Sequence, residues 1–555
     1  MESHPFRLLR NIGRTRQIVT VLLNHGFGDV VDRIGLRSAW KRWRCFLFRR
    51  KEAPTPRLKT VERIRLTLEA LGPTFIKFGQ VMSTRPDVVP PDMLTELKKL
   101  QESVPPFGPQ KAVQVLQHEF EKSPSTLFAE FETEPLAAGS LGQVHRARHF
   151  DGTPLAIKIR RPDVVRDVER DISLMQELAL LLDRHVPESR IFDPIGLVNH
   201  FARTIRREMN FAREGRTMEE FSRLFQDDDI LYVPRVYWDL TTEAVLTMEF
   251  VEGANINDRA ALLKLPRSPA EIAGDGARIF MKQAFEFGMF HGDPHPGNIR
   301  ILPNGRVCLL DYGMIGMLDE ETREQLVDLL QAIANQNADA AVDVVLHLGE
   351  PRGEIDMGLL KIDMRDFIAN YYGVELERID VSRLLSDFVG IMSTHHIRCP
   401  GSLMLLIRAL VTLEGIGASL DPEFNLAGHL QPFVEKLVKD RYQPRKMAER
   451  VFRDVRMLAG SLHDLPVHLG KTLKKLANDD LQVHLDHRGL DYLILELERA
   501  SNRLVVGMVV AALILASAIL IPAGTNTFWV SVPIYLLSSL LAMWLVYGIF
   551  RSGRL

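Results

Sequence analysis

The chain has 555 residues, of which 46% are hydrophobic and 25% charged, with a net charge of −2. This length implies more than one folding unit with ample apolar content for a large core, and the near-neutral balance gives no sign of a nucleic-acid-binding protein. The three cysteines, Cys45, Cys308 and Cys399, show neither a CxxC pair nor zinc spacing, which argues against a disulfide framework and for a reducing compartment.

Residues 1–60 hold 14 Lys and Arg against 4 Asp and Glu, with KRWRC and FRRK inside the run. A basic arm interleaved with aromatics suits an anionic membrane surface or nucleic acid, and equally a solvated, poorly ordered tail. Charges run through the first 31 residues, so no secretory signal is expected. APTPRLKT (53–60) reads as a linker. Residues 61–101 are helical in pattern, broken by RPDVVPPD, and VPPFGP (104–109) is a second break.

TLFAEFETEPL reads as a helix end followed by a strand, AAGS as a small-residue loop, and QVHRARHF as a strand. Asp151-Gly152 marks a hairpin turn and PLAIKIR a third strand. Residues 164–230 are charged and helical, and EAVLTMEFVEG (243–253) is a strand ending at a glycine. From 255 onward helices dominate, interrupted by HGDPHPGN, a strand IRILP, a turn at Asn304-Gly305, and a strand RVCLLDYG.

The C-terminus differs in kind. No charged residue occurs from Leu504 to Phe550, and PAGTNT (522–527) divides the stretch into apolar blocks 504–521 and 528–550. Each is long enough to cross a hydrocarbon core of ~30 Å, where one Lys or Arg at mid-span would cost ~2.5–3.5 kcal/mol. Trp529, Trp544 and Tyr547 fall near the expected interfaces, and Arg503, Arg551 and Arg554 flank the outer ends. The pattern predicts a transmembrane hairpin with both ends in the cytoplasm. Everything before residue 500 reads as too polar to span.

Three stretches carry chemistry. Lys158 ends the alternating strand AIK, about 20 residues after the loop Ala137, Ala138, Gly139, Ser140 and Gly142. Backbone N–H groups of such a loop approach phosphate closely, and a lysine on the third strand reaches the same phosphates. In HGDPHPGN, Asp293 and Asn298 stand five apart, and after a hairpin comes Asp311-Tyr312-Gly313. This is the order of a protein-kinase catalytic loop and its metal-binding Asp. Asp311 and Asn298 offer the oxygen ligands magnesium prefers, and Asp293 a base or orienting group for the attacking hydroxyl or water. A rival reading takes His291-x-Asp293-x-His295 as transition-metal ligands, but it leaves Asn298 and Asp311 without a role. Glu208 and Glu214 on the helical stretch EMNFAREG are both candidate partners for Lys158.

These motifs carry a resemblance to the UbiB family of atypical protein-kinase-like proteins, over roughly residues 15–503, with the C-terminal hairpin as in bacterial members. FIKFGQVMSTRPDVVP resembles its KxGQ signature and AAGSLGQVHRA its alanine-rich loop; AIK, MEFVEG, HGDPHPGN and DYG follow in the family's order. The fold implied is α+β: a two-lobed protein-kinase-like fold with a helical N-terminal KxGQ extension and a C-terminal two-helix transmembrane hairpin. The expected layout is a basic arm (1–60), the extension (61–115), an N-lobe with inserted helices (116–253), a helical C-lobe (254–440), amphipathic helices near a membrane (441–503) and the hairpin (504–550).

The resemblance implies site roles. ATP and Mg2+ are the implied cofactors. Leu136, Ala137, Ala138, Gly139, Ser140 and Val144 would surround the nucleotide, and Lys158 would contact its phosphates and pair with Glu214. Met248, Glu249 and Val251 would form the adenine-binding hinge. Asp293 would be the catalytic aspartate, and Asn298 and Asp311 the metal ligands. Two departures stand out: Gly139 replaces the usual third alanine, and Asn210 the aspartate of a Glu-x-Asp motif.

Lys77, Gln80 and Thr84 share one helical face, opposite Phe75, Phe78 and Met82. The residues alone suit a surface helix; the resemblance turns the polar face over the nucleotide site, with Glu208 as counter-charge for Lys77 and Gly79 permitting close approach. After DYG, MIGM is followed at once by a helix with Leu326, Leu329, Leu330 and Ile333 in register. No room remains for a peptide-docking segment, which disfavours phosphorylation of a protein substrate. The implied function is a membrane-anchored ATPase or kinase-like enzyme supporting ubiquinone biosynthesis. Its expected partners are membrane lipid, a prenylated quinone precursor and other quinone-biosynthesis proteins, not nucleic acid. It is expected in a bacterial inner membrane with the catalytic domain cytoplasmic. The alternative is a pseudokinase scaffold that binds nucleotide without turnover. A monooxygenase finds no dinucleotide fingerprint, haem or di-iron ligand set in the sequence.

Overall fold

Alternating strands separated by glycine turns build the first sheet. In the computed structural model, which describes residues 11–34, 58–83, 89–100, 105–186, 189, 193–373, 380–441 and isolated positions from 501 to 540, β1 (Glu130–Ala138), β2 (Gly142–Arg148) and β3 (Pro154–Arg160) run antiparallel in sequence order. β4 (Leu231–Tyr232) leaves for a second sheet, and β5 (Val245–Glu249) joins the free edge of β3, giving β1-β2-β3-β5. The β2–β3 turn depends on Gly152, whose φ of +91° lies in the left-handed region. The second sheet has the order β4-β9-β8-β6, with β6 (Ala254–Asn255), β8 (Ile299–Ile301) and β9 (Val307–Leu309). β7 (Met289–His291) pairs with β10 (Ile315–Met317).

The helices that matter for the site are, in order, α1 (Ile12–Asn24), α2 (Thr60–Leu71), α3 (Pro73–Met82), α4 (Pro91–Leu97), α5 (Pro109–Phe120), α6 (Val164–His185), α7 (Pro194–Glu208), α8 (Phe211–Leu224), α9 (Pro269–Met281), α10 (Glu320–Ala334), α11 (Val381–Thr394) and α12 (Gly401–Leu420). Their packing redraws the expected layout. Ala112 and Leu116 of α5 are fully buried against Phe128, Leu155, Ile157 and Val245, so α5 belongs to the N-lobe and the boundary at 115/116 cuts through it. Helices α2–α4 instead share one apolar core with α6 and α7, through Leu68, Phe75, Leu97, Ile172, Phe201 and Ile205. The extension and the inserted helices are thus one body built from two separated stretches.

The stretch 11–34 joins that body rather than forming a solvated arm. Ile18 of α1 is buried in the same core. Arg14 donates to both carboxylate oxygens of Asp171 at 2.8 and 2.7 Å and to the Leu71 carbonyl at 2.8 Å. The basic tracts KRWRC and FRRK, and most of the linker at 53–60, lie outside the described residues. Asn210 caps α8: its side-chain oxygen accepts the Arg213 N–H at 3.1 Å and its amide donates to Glu243 at 3.0 Å. A neutral acceptor suffices for capping, which accounts for the absence of an aspartate there.

A separate core fills the C-lobe, with Phe280, Phe290, Phe388 and Leu403 among its buried members. One helix among the described residues, α12, is long and apolar enough to span a membrane, with a mean hydropathy of 1.7. This corrects the reading that everything before residue 500 is too polar; α12 is more than half buried and serves as a core helix of the C-lobe. The two cysteines that are described, Cys308 and Cys399, are both buried.

The chain divides into two units, Met1–Met447 and Ala448–Leu555. The amphipathic helices expected at 441–503 lie almost wholly outside the described residues, as does most of the expected hairpin. Among the positions described there, Leu504, Met508, Leu515, Leu536 and Leu540 are helical and exposed.

Gly142 opens β2 where a Cβ would meet the Ile159 carbonyl oxygen at 2.5 Å. Because that neighbour is backbone, Gly142→Ala is expected to destabilise the N-lobe by about 1–3 kcal/mol, read as a lower thermal midpoint; an unchanged midpoint would refute the clash.

Candidate active site

β3 holds Lys158 in register with Val144 on β2 and Leu246 on β5. Its Nζ donates to both carboxylate oxygens of Glu214, at 2.9 and 2.8 Å. Glu214 lies in the first turn of α8 and is 4% exposed. It also accepts the Tyr312 N–H at 3.4 Å, which joins the helix to the DYG segment. Lys158 Nζ lies 3.7 Å from Asp311 Oδ2, so one ammonium faces two carboxylates. The two candidate glutamates are now distinguished: Glu214 takes Lys158, and Glu208, at the end of α7, lies 3.1 Å from Lys77.

The electrostatics follow from burial and these contacts. Burial disfavours the Lys158 charge, but Asp311 and Glu214 outweigh it and raise the lysine above its ordinary value. Burial lifts the Glu214 carboxyl to about 7, against the pull of Lys158. Burial also opposes ionisation of Asp311, yet Lys158, the Gly313 N–H at 2.8 Å and the more distant Lys77 hold it at about 2. Asp311 therefore stays ionised with its side chain 44% exposed, open to a ligand.

The catalytic loop is anchored to the same place. His291, 2% exposed, accepts the Asp293 N–H through Nδ1 at 3.1 Å and donates from Nε2 to the Asp311 carbonyl. Burial pushes its pKa down, consistent with a neutral ring. His295 turns outward and accepts the Gly297 N–H at 3.0 Å. The two histidines do not converge, and among the described residues no group of three His, Cys, Asp or Glu side chains is placed to hold a metal. The transition-metal reading of this loop therefore fails. Leu310 N–H donates to the Asn298 carbonyl at 2.9 Å, fixing that residue beside the strand end that carries Asp311. The Asn298 side chain enters no hydrogen bond among the described residues. An ionised carboxylate and a free amide oxygen form an oxygen donor set, which fits a hard cation such as Mg2+.

The nucleotide loop is shorter than expected. Ala137 and Ala138 are not loop residues but the end of β1, paired with Val144 and Gln143, because small side chains continue the ladder without strain. The Gly139 N–H closes the turn onto the Gly142 carbonyl at 2.8 Å and is not available to phosphate. Among the described residues, the N–H groups at the tip that enter no hydrogen bond are those of Ser140, whose side chain is buried, and Leu141. Leu136 is half exposed on β1, while Val144 packs on the core that holds Leu246, Met248 and Tyr312. In the hinge, the N–H groups of Glu249 and Phe250 bond to the carbonyls of Arg235 and Pro154, both at 2.9 Å. The Glu249 carboxylate accepts the Tyr232 hydroxyl at 2.7 Å. The hinge expectation narrows to the Val251 N–H, which enters no described bond.

The two faces of α3 separate as expected, with Phe75 and Met82 buried and Phe78 edge-on to Phe201 at 5.4 Å. Gly79 is required by contact: a Cβ would lie 2.3 Å from Leu100 and 2.9 Å from Leu68. Gln80 departs from the expectation, since its amide donates to the Leu100 carbonyl at 3.2 Å and so braces the extension. Thr84 lies outside the described residues.

Sequence reasoning missed Arg408. It lies on α12, 115 residues from Asp293, and donates to Asp293 Oδ1 at 3.2 Å. The available signal was its charge in an otherwise apolar helix. The other charged residue of α12, Glu414, is likewise engaged, accepting the N–H groups of Val381 and Ser382 at the start of α11.

The chain is similar to known proteins along most of its length. Residues 99–345 match the ABC1 atypical kinase-like domain, 364–425 the UbiB helical domain, and 488–551 the ABC1/UbiB kinase-like C-terminal domain. The chain is 31% identical to protein sll1770 of Synechocystis sp. over 88% of its own length and 84% of that protein. It is 30% identical to a protein named "Probable protein kinase UbiB" from Xanthomonas campestris pv. campestris, over 85% of this chain and 87% of that one. Among solved structures, the Rv3197–erythromycin complex from Mycobacterium tuberculosis matches with a TM-score of 0.44 at 22% identity, covering 62% of this chain and 87% of that one. On these family-model matches and relatives, this chain belongs to the ABC1/UbiB family of atypical kinase-like proteins.

Proposed function

We propose that this protein is a membrane-anchored, Mg-ATP-dependent kinase-like ATPase that supports ubiquinone biosynthesis, presenting or acting on prenylated quinone precursors. The observation that carries the reading is the meeting of Lys158, Glu214 and Asp311 within hydrogen-bond and ion-pair range. Lys158, oriented by Glu214, binds the phosphates of the nucleotide. Asp311 and Asn298 would hold a magnesium ion, which would supply charge to neutralise the phosphates. Asp293 orients the attacking oxygen and takes its proton, and Arg408 keeps that carboxylate in position. The Ser140 and Leu141 N–H groups cap the phosphates.

Two features favour a lipid-linked ATPase over a protein kinase. Only residues 314–319 separate Gly313 from α10, and three of them form β10, so a peptide substrate has no platform. The exposed apolar helical positions from Leu504 to Leu540 suit a lipid environment, and the printed name of the Xanthomonas relative supplies the UbiB connection.

Phosphate release by the purified full chain in detergent with a short-chain quinone analogue tests the reading. Lys158→Ala and Asp311→Asn are each expected to lower the rate by about 100-fold or more, and Arg408→Ala by about tenfold. Mg-nucleotide binding without any phosphate release by the wild type would establish a scaffold instead.

The Lys77–Glu208 pair, with side chains 19% and 11% exposed, holds the extension close to the cleft. Lys77→Ala is expected to speed association of a fluorescent nucleotide about threefold, measured by stopped flow; an unchanged rate would remove the extension from control of access.

A further inference from the structure

The nucleotide loop has almost no side chains of its own to hold its shape, yet it is not free. Arg161 follows β3, bonds to the loop at two carbonyls and reaches the segment at 105–107 as well. Its own N–H donates to the Leu141 carbonyl at 2.8 Å. Its Nη2 donates to the Gly139 carbonyl at 3.2 Å and to the Pro105 carbonyl at 2.9 Å. The guanidinium lies over the Phe107 ring, 5.2 Å from its centroid. Phe107 is itself tied to the strand beyond the loop: its N–H donates to Gln143 Oε1 at 3.0 Å. The Gln143 amide meets His145 Nε2 at 2.7 Å, and His145 Nδ1 meets the Glu132 carbonyl on β1 at 2.9 Å. Gln143 and His145 are essentially fully buried. A continuous polar chain thus runs from residues 105–107 into both strands flanking the loop.

We infer that Arg161 is the positioning residue that aims the nucleotide loop at the phosphates, clasping its tip to the segment at residues 105–107. The inference rests on the proposed reading of this loop as the phosphate cap. Its physical basis is the planar trans peptide, in which C=O and the following N–H point in opposite directions. Pinning the Gly139 carbonyl on the guanidinium side therefore directs the Ser140 N–H away from it. The same holds for the Leu141 carbonyl and the Gly142 N–H. Gly139 would otherwise sample many conformations. A planar fork that stacks on an aromatic ring while serving two carbonyls is a task for arginine; a lysine ammonium is a point charge on a flexible stem.

The test compares the wild-type full chain with Arg161→Ala and Arg161→Lys. In nucleotide-free protein, amide hydrogen exchange across residues 139–142 is expected to rise at least tenfold in Arg161→Ala. The KM for ATP is expected to rise about five- to tenfold with kcat within twofold of wild type, and Arg161→Lys is expected to recover only part of it. Adenosine, which has no phosphate, is expected to bind both proteins equally. Unchanged exchange at residues 139–142 overturns the clasp, as does an equal loss of adenosine and ATP affinity, which marks a general structural defect. The exchange measurement needs no nucleotide, so it decides the clasp even if the wild type binds none; that second result would fall on the proposed function alone.

Discussion

One ammonium between two carboxylates organises this molecule. Lys158 comes from a strand, Glu214 from the first turn of a helix, and Asp311 from the end of a short strand far along the chain. A charge at this depth is tolerated only with partners in place, and removing one partner of a buried pair costs about 3–5 kcal/mol because the other is left uncompensated. The constraint therefore acts on architecture as well as chemistry. It fixes α8 against β5, draws the DYG segment up to the N-lobe through the Tyr312 N–H, and leaves Asp311 ionised and accessible.

Around that centre, neighbouring groups are held by backbone as much as by side chains. His291 couples the Asp293 amide to the Asp311 carbonyl, and the Asn298 carbonyl is bound by Leu310. The side chains of Asp293 and Asp311 carry bonds as well, to Arg408 and to the Gly313 N–H, while the Asn298 amide enters none among the described residues. Arg408 extends the arrangement into the C-lobe, where a helix apolar enough to resemble a membrane span delivers one cation to the catalytic loop.

The helical body beside the N-lobe explains what the extension is for. Its core is drawn from α1–α4 and from α6–α7, so neither stretch has a complete apolar interior by itself. Closing that core brings Lys77 to Glu208, whereas Phe107 packs in the N-lobe core and meets Arg161 from there. Gln80, by contrast, bonds within the extension, which shows that a shared helical face is not a shared role.

The local chemistry was legible in the chain itself. The alternation around Lys158, the turn glycine at 152 and the short run after Gly313 follow from residue type and period, and the structure has the strand, the turn and the short connection at those positions. Pairings across long separations were not legible. That Arg408 met Asp293, that α5 joined the sheet, and that α12 was a core helix depended on which faces found each other in three dimensions, and the residues alone left Glu208 and Glu214 both open to Lys158 until the family resemblance chose Glu214. The physical reason is that periodicity tells which side of an element is apolar, while the partner of that side, and the charge that must meet a buried charge, is decided only when the cores close.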